Sequence, residues 1–111
     1  MRLLAIDPGE LCHELALEGA TTAPDGYGGV TESWAIAATL FARMEPSSPR
    51  RMVNSGQIDR TVTHRMTVRQ DAAVQSGMRF RKGDRIFDIL TVYDPDETGR
   101  YFFCETSEAG Q

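Results

Sequence analysis

Eleven of the twelve basic side chains are arginine, Lys82 being the exception, and ten of the twelve fall between Arg43 and Arg85. A guanidinium stays charged and offers planar, paired donors, so such a cluster suits carboxylate or phosphate. Arg50 and Arg51, with Arg60, Arg65, Arg69, Arg79, Arg81 and Lys82 around them, are the one constellation able to engage a polyanion. Each phosphate neutralised would add a salt-dependent increment through counterion release. Only Phe80 interleaves with these arginines, so stacking on unpaired bases is not supported and contact with a DNA backbone is the better reading. Two further uses compete with it. A solvated arginine face has the same composition. The flanking thirds are acidic, residues 1–42 and 86–111 each carrying six acids and one base, so the arginines could instead pair with a neighbouring subunit and favour a head-to-tail ring.

The other reactive residue types do not assemble a motif. His13 and His64 sit on the apolar sides of alternating segments, where a histidine is usually structural. Asp88, between Ile86 and Leu90 in the alternation, could pair with one of them as a triad fragment, but Ser47, Ser48 and Ser55 lack a nucleophile elbow. Asp25-Gly26-Tyr27-Gly28-Gly29 is not followed by Gly-Lys-Ser/Thr, so its glycines read as a turn needing positive φ. Asp94, Asp96 and Glu97 lack calcium-loop spacing and read as a hairpin cap. Cys12 and Cys104 are too few and too distant for zinc, and could form a disulfide only if the first and last strands were neighbours. No catalytic, cofactor-binding or metal-binding residue is assigned.

The elements that hold these residues are strands. Residues 62–69, Val-Thr-His-Arg-Met-Thr-Val-Arg, alternate so that Val62, His64, Met66 and Val68 share one face while Thr63, Arg65, Thr67 and Arg69 share the other. Leu11, His13, Leu15 and Leu17 alternate likewise, and in residues 30–44 Ala35, Ala37, Ala38, Leu40 and Ala42 would also suit a helix, but the alternation of Trp34, Ile36, Ala38, Leu40 and Ala42 favours a long strand. Shorter strands follow at 77–81, 85–93 and 101–104, with turns at 82–84 and 94–99. Residues 19–29 read as a loop of about ten residues. Residues 44–60, with two prolines, read as a long loop of the kind that is usually functional. The termini, 1–9 and 106–111, are expected to be loose. About six strands in 111 residues predict one all-β domain, a small barrel or sandwich. Its expected core is His13, Leu15, Leu17, Trp34, His64, Met66, Val68, Phe87 and Ile89. The N-terminal apolar run is too short for a signal-peptide core and no run approaches a membrane span, so a protein soluble in the cytosol is expected.

Several segments occur together in an order that is itself informative: Gly9-Glu10-Leu11 with His13, Asp25 through Val30, Trp34, Ala42, Glu45-Pro46, residues 62–69, Gly77-Met78-Arg79 and Arg85 through Ile89. In this order the chain, from Gly9 to Glu105, resembles the head-tail joining family of tailed bacteriophages, also called head closure, head completion or stopper proteins, which has members in gene transfer particles. It departs from many relatives in having Cys12 and Glu14 beside His13 where they carry basic residues, and Ser47-Ser48-Pro49-Arg50-Arg51-Met52 in place of a Ser-Gly-Arg-Glu run.

The resemblance implies a β-barrel without enzymatic activity or cofactor. It implies a sixfold-compatible homo-oligomeric ring at the neck of a virion or phage-like particle, assembled in the bacterial host cytoplasm. The implied partners are a portal or adaptor protein on the head side, a tail terminator or tail tube on the other, and packaged double-stranded DNA held without sequence preference. It also implies that the long loop can point into the channel, which would bring Arg50, Arg51, Asn54, Gln57 and Arg60 near DNA. Arg65, Arg69, Arg79 and Arg81 are the candidates for contacts between subunits. The alternative function is a free-standing small β-barrel that binds nucleic acid through its arginine-rich middle third.

Overall fold

Leucine spacing starts the sheet. In β1 (His13–Pro24), Leu15 and Leu17 are fully buried while Glu14 is exposed, the alternation that a pleated strand imposes. The same period buries Val62, Met66 and Val68 in β3 (Arg60–Arg69) and Phe87 and Ile89 in β5 (Arg85–Tyr93). With β2 (Val30–Met52), β4 (Arg79–Lys82) and β6 (Tyr101–Glu108), six strands make up the computed structural model, which describes residues 8–52, 60–70 and 73–109. A single 3₁₀ turn, Pro8–Glu10, precedes β1. Among the described residues no helix is long and apolar enough to cross a membrane.

All strand pairs are antiparallel, and the order β1-β2-β3-β6-β5-β4 returns to β1, so the sheet closes on itself. The all-β expectation holds. Leu15, Leu17, Ala42, Met66, Val68, Val74, Phe80, Phe87, Ile89 and Cys104 fill the interior. Each large side chain among them contributes about 1.5–3 kcal/mol by leaving water. Three residues expected in the core lie outside this cluster. His13 and His64 are half-buried, and Trp34, also half-buried, lies under the Arg79 guanidinium.

The sheet closes over a short seam. β1 pairs with β2 from His13↔Ala42 to Pro24↔Val30, but with β4 only at Ala16↔Arg81, Leu17↔Phe80 and Glu18↔Arg79. Past Glu18 the β1–β2 hairpin leaves the closed sheet as a two-stranded arm, and residues 20–24 and 26–33 are exposed throughout. A bulge between Leu17 and Glu18 marks the departure, as bulges do where a strand is re-aimed. The arm explains the extents of 53 × 29 × 26 Å and a radius of gyration of 15.1 Å, against roughly 13 Å for a compact chain of this size.

Three stretches differ from expectation. The loop expected over 19–29 is strand as far as Pro24, and only its last residues turn: Asp25 Oδ1 accepts from the N–H groups of Tyr27 and Gly29 at 2.7 and 3.1 Å, with Gly26 and Gly28 at φ of 85° and 84°. The glycines therefore serve a positive-φ turn, as read. The loop expected over 44–60 is strand up to Met52, whose partner across the ladder is Arg60. The prolines fit because the register shifts between Pro46 and Arg50, and a bulge has no ladder bond for Pro49 to break. Residues 53–59, with Asn54 and Gln57, lie outside the described residues. The loose tail expected from 106 onward is instead ladder to Glu108: Thr106 and Ser107 are buried opposite Ile89 and Asp88. Thr106 Oγ1 donates to the His64 carbonyl at 3.0 Å, which lets a hydroxyl be buried at little cost.

Candidate functional site

The strand registers decide where each arginine goes. Glu18 lies opposite Arg79 and diagonal to Arg81, both two apart on β4 and on one face. Its carboxylate accepts from Arg79 Nε at 2.6 Å and from Arg81 Nε at 3.0 Å, and the Arg79 guanidinium stacks 4.1 Å over Trp34 at the root of the arm. Burial pushes the Glu18 carboxyl up, but the hydrogen bonds and charges of the two guanidiniums outweigh it, so the group titrates below the ordinary carboxylate range. This cluster clamps the seam that closes the sheet.

The remaining arginines are distributed in the same way. Arg65 donates to Glu45 at 3.1 Å and covers the Phe103 ring at 4.2 Å, while Arg43 reaches Glu45 and Glu10 at 3.4 and 3.3 Å. Arg60 pairs with Asp88 at 2.8 Å. Arg85 holds Glu108 through two bonds of 2.7 and 3.1 Å, and that hydrogen-bonded pairing draws the Glu108 carboxyl below its ordinary range and raises the Arg85 guanidinium. Arg69 is exposed at the end of β3. Arg50 and Arg51 stand on β2 opposite Val62 and Thr61. Among the described residues, Arg43, Arg60, Arg79, Arg81 and Arg85 of the cationic middle are thus ion-paired with Glu10, Asp88, Glu18 and Glu108 of the acidic ends, and Arg65 with Glu45 of the middle itself. Exposed pairs of this sort contribute ~0–1 kcal/mol each, but they remove free cationic surface.

The triad fragment does not assemble. Asp88 is taken by Arg60, while His13 Nδ1 lies 2.7 Å from Lys82 Nζ and His64 Nδ1 lies 3.0 Å from Thr63 Oγ1. The His64 ring meets Phe87 edge-on at 5.1 Å, and burial lowers its basicity, so it is neutral at pH 7. Asp94 caps its turn by accepting from the N–H groups of Asp96, Glu97 and Gly99. Cys12 is exposed and Cys104 buried, both as free thiols, and burial pushes the Cys104 thiol up to about 12. Among the described residues no three His, Cys, Asp or Glu side chains gather as a metal site.

Two surfaces escape the sequence reading. One is the arm, which presents Tyr27 at 95% exposure, Val30 at 70% and Ile36 at 67%. The other is a groove of about 540 Å³ between Glu45–Ser48, Arg65, Tyr93 and Glu105. Residues of low bulk from Gly19 to Ala23 are the only sequence signal for the arm, and they signal a loop equally well. Both surfaces stand on a body whose sheet closes on itself and whose arginines are largely ion-paired.

The chain matches the family described as phage head completion protein over residues 6–109. Among solved structures it is similar to a chain in the virion of a native gene transfer agent particle, with 28% identity and a TM-score of 0.65, covering 89% of this chain and 96% of that one. It is similar in fold to a Shigella flexneri 2a protein determined in solution, with 18% identity and a TM-score of 0.66, covering 96% of this chain and 99% of the other. No curated protein matches.

Proposed function

We propose, from the premise that this chain belongs to the phage head completion protein family, that it forms a homo-oligomeric ring at the junction of head and tail. The family gives it a structural role in a phage head. The ring would sit beneath the portal or adaptor, close the DNA-filled head and dock a tail terminator or tail tube. The observation that carries this reading is a family match across nearly the whole chain. The similarity to a chain of a gene transfer agent virion supports it, and leaves a phage particle and a gene transfer particle as equally suitable settings.

Within such a ring, the far end of β2, with Arg50 and Arg51, and the start of β3 at Arg60 would border the channel, with Asn54 and Gln57 between them. Arg60, held by Asp88, would act there as a positioned dipole rather than a free cation. Of the four arginines considered for subunit contacts, Arg69 is the one on the open surface. Arg65, Arg79 and Arg81 support the fold of their own subunit through Glu45 and Glu18. A free-standing DNA-binding barrel would need those guanidiniums unpaired, so the connector reading is preferred. Deleting the gene and purifying the particles tests it. Particles that lose DNA or remain tailless are expected, and particles that keep both would overturn it.

A further inference from the structure

A fully closed sheet has no free edge, and the longest unpaired edges among the described residues of this one lie along and below the arm that leaves it. On one side, β1 has no partner among the described residues other than β2 from Ala20 to Pro24, because its pairing with β4 stops at Glu18. On the other side, β2 has no partner among the described residues other than β1 from Val30 to Ala42, because its pairing with β3 begins at Arg43. Isolated two-stranded ribbons are marginal in water. Monomers blunt such edges with lysine, internal proline or inward charge. Here the two free stretches contain no Lys or Arg, Glu32 is their one charge, and the one proline, Pro24, sits at the tip. Val30, Ile36 and Phe41 are left in water along the longer edge.

We infer that these edges pair with each other between copies of this chain, the Ala20–Pro24 edge of one arm adding to the Val30–Ala42 edge of the next. The occupant follows from the geometry. The two edges lie on opposite sides of one arm, so the contact is head-to-tail, the kind that closes into a ring when the rotation allows. Arms that point the same way around an axis place β2 of one copy beside an oppositely running β1 of its neighbour, so the antiparallel pattern continues from arm to arm. Main-chain ladder bonds supply the affinity, as in other strand additions. With a single negative charge on the two stretches, repulsion between copies is slight. This inference rests on the ring reading and adds where the subunits join.

Amide hydrogen exchange on the full chain tests it, comparing dilute free subunit with assembled particles. In the particles, amides of Ala20–Ala23 and Thr31–Phe41 that exchange freely in the subunit should slow by on the order of a hundredfold, as new ladder bonds require. A second arm of the experiment replaces residues 21–33 by Asn-Gly, a hairpin turn that keeps the Ala20↔Trp34 pair. That variant should keep its fold by circular dichroism and lose its ring by native mass spectrometry. A folded short-arm variant that still forms rings overturns the inference and leaves the ring reading standing. Wild-type particles containing no ring overturn both. Protection that appears without self-association, only when another virion protein is added, overturns pairing between copies.

Discussion

The arm and the body share two strands but are held together differently. Below the bulge at Leu17/Glu18, β1 and β2 contribute Leu15, Leu17 and Ala42 to a filled interior; above it the same strands carry Gly, Ala, Thr and Ser and bury nothing comparable. The body is stabilised by area removed from water. The arm has its ladder, short polar contacts such as the Thr21–Ser33 hydroxyl pair at 2.9 Å and the Asp25 bonds of its turn, and the Trp34–Arg79 stack at its root. A segment that adds so little to folding yet keeps strand geometry over its full length is available for contacts with other chains.

Phe87→Ala should show the largest effect, because it attacks the body. Phe87 is fully buried among core side chains, and truncating such a residue costs about 3–5 kcal/mol. Urea unfolding followed by circular dichroism would measure it. A loss below about 1 kcal/mol would mean that the body is not held by its interior, and the contrast with the arm would collapse.

Glu18→Gln probes the boundary between the two regions. The buried carboxylate is shared by Arg79 and Arg81, so its removal strands two guanidiniums at the seam. Arg81 is more than a third exposed and will be partly rescued by water, so a cost of ~2 kcal/mol is expected rather than the full penalty of a broken buried pair. The pH dependence has a defined sign. A carboxyl whose folded pKa lies below its unfolded value stabilises the protein above the unfolded value of 4.5 and loses that contribution as pH falls through the folded one. Melting temperatures of wild type and Glu18→Gln should therefore converge on acidification below pH 4.5. A gap that stays constant down to pH 2 would show that the seam does not depend on this charge.

What the sequence discloses follows the same division. Alternation in residues 62–69 located β3, and apolar spacing picked out Leu15, Leu17, Met66, Val68, Phe87 and Ile89, all of which are buried. It overlooked the arm because Ala20–Ala23 has the composition of a loop; its strand form comes from the β2 ladder, and β propensity largely reports packing that this segment lacks. Pro46 and Pro49 hid the continuation of β2, which is possible only because a bulge absorbs them. The fate of the arginines was legible as charge asymmetry but not as geometry. Glu18 and its partners are 61 and 63 residues apart, and only the register of β1 against β4 shows that they meet within one subunit. Family membership was legible because it rests on the order of many short segments, none of which had to be assigned a correct conformation.

Tyr27→Ala should have the smallest effect on folding and for that reason separates the two regions most sharply. At 95% exposure, between two glycines of positive φ, the ring has almost no buried area to lose, so the change in stability should stay within ~0.5 kcal/mol. An aromatic left in water at the end of a two-stranded ribbon is also the side-chain type on which interfaces concentrate their energy. The yield of tailed, DNA-filled particles should accordingly fall while the melting curve of the purified subunit stays where it was. A shifted melting curve would show that the arm tip folds back onto the body. An unchanged curve with unchanged particle yield would confine the contact role to the ladder edges below the tip, because main-chain pairing at Ala20–Pro24 and Val30–Ala42 does not require the Tyr27 ring.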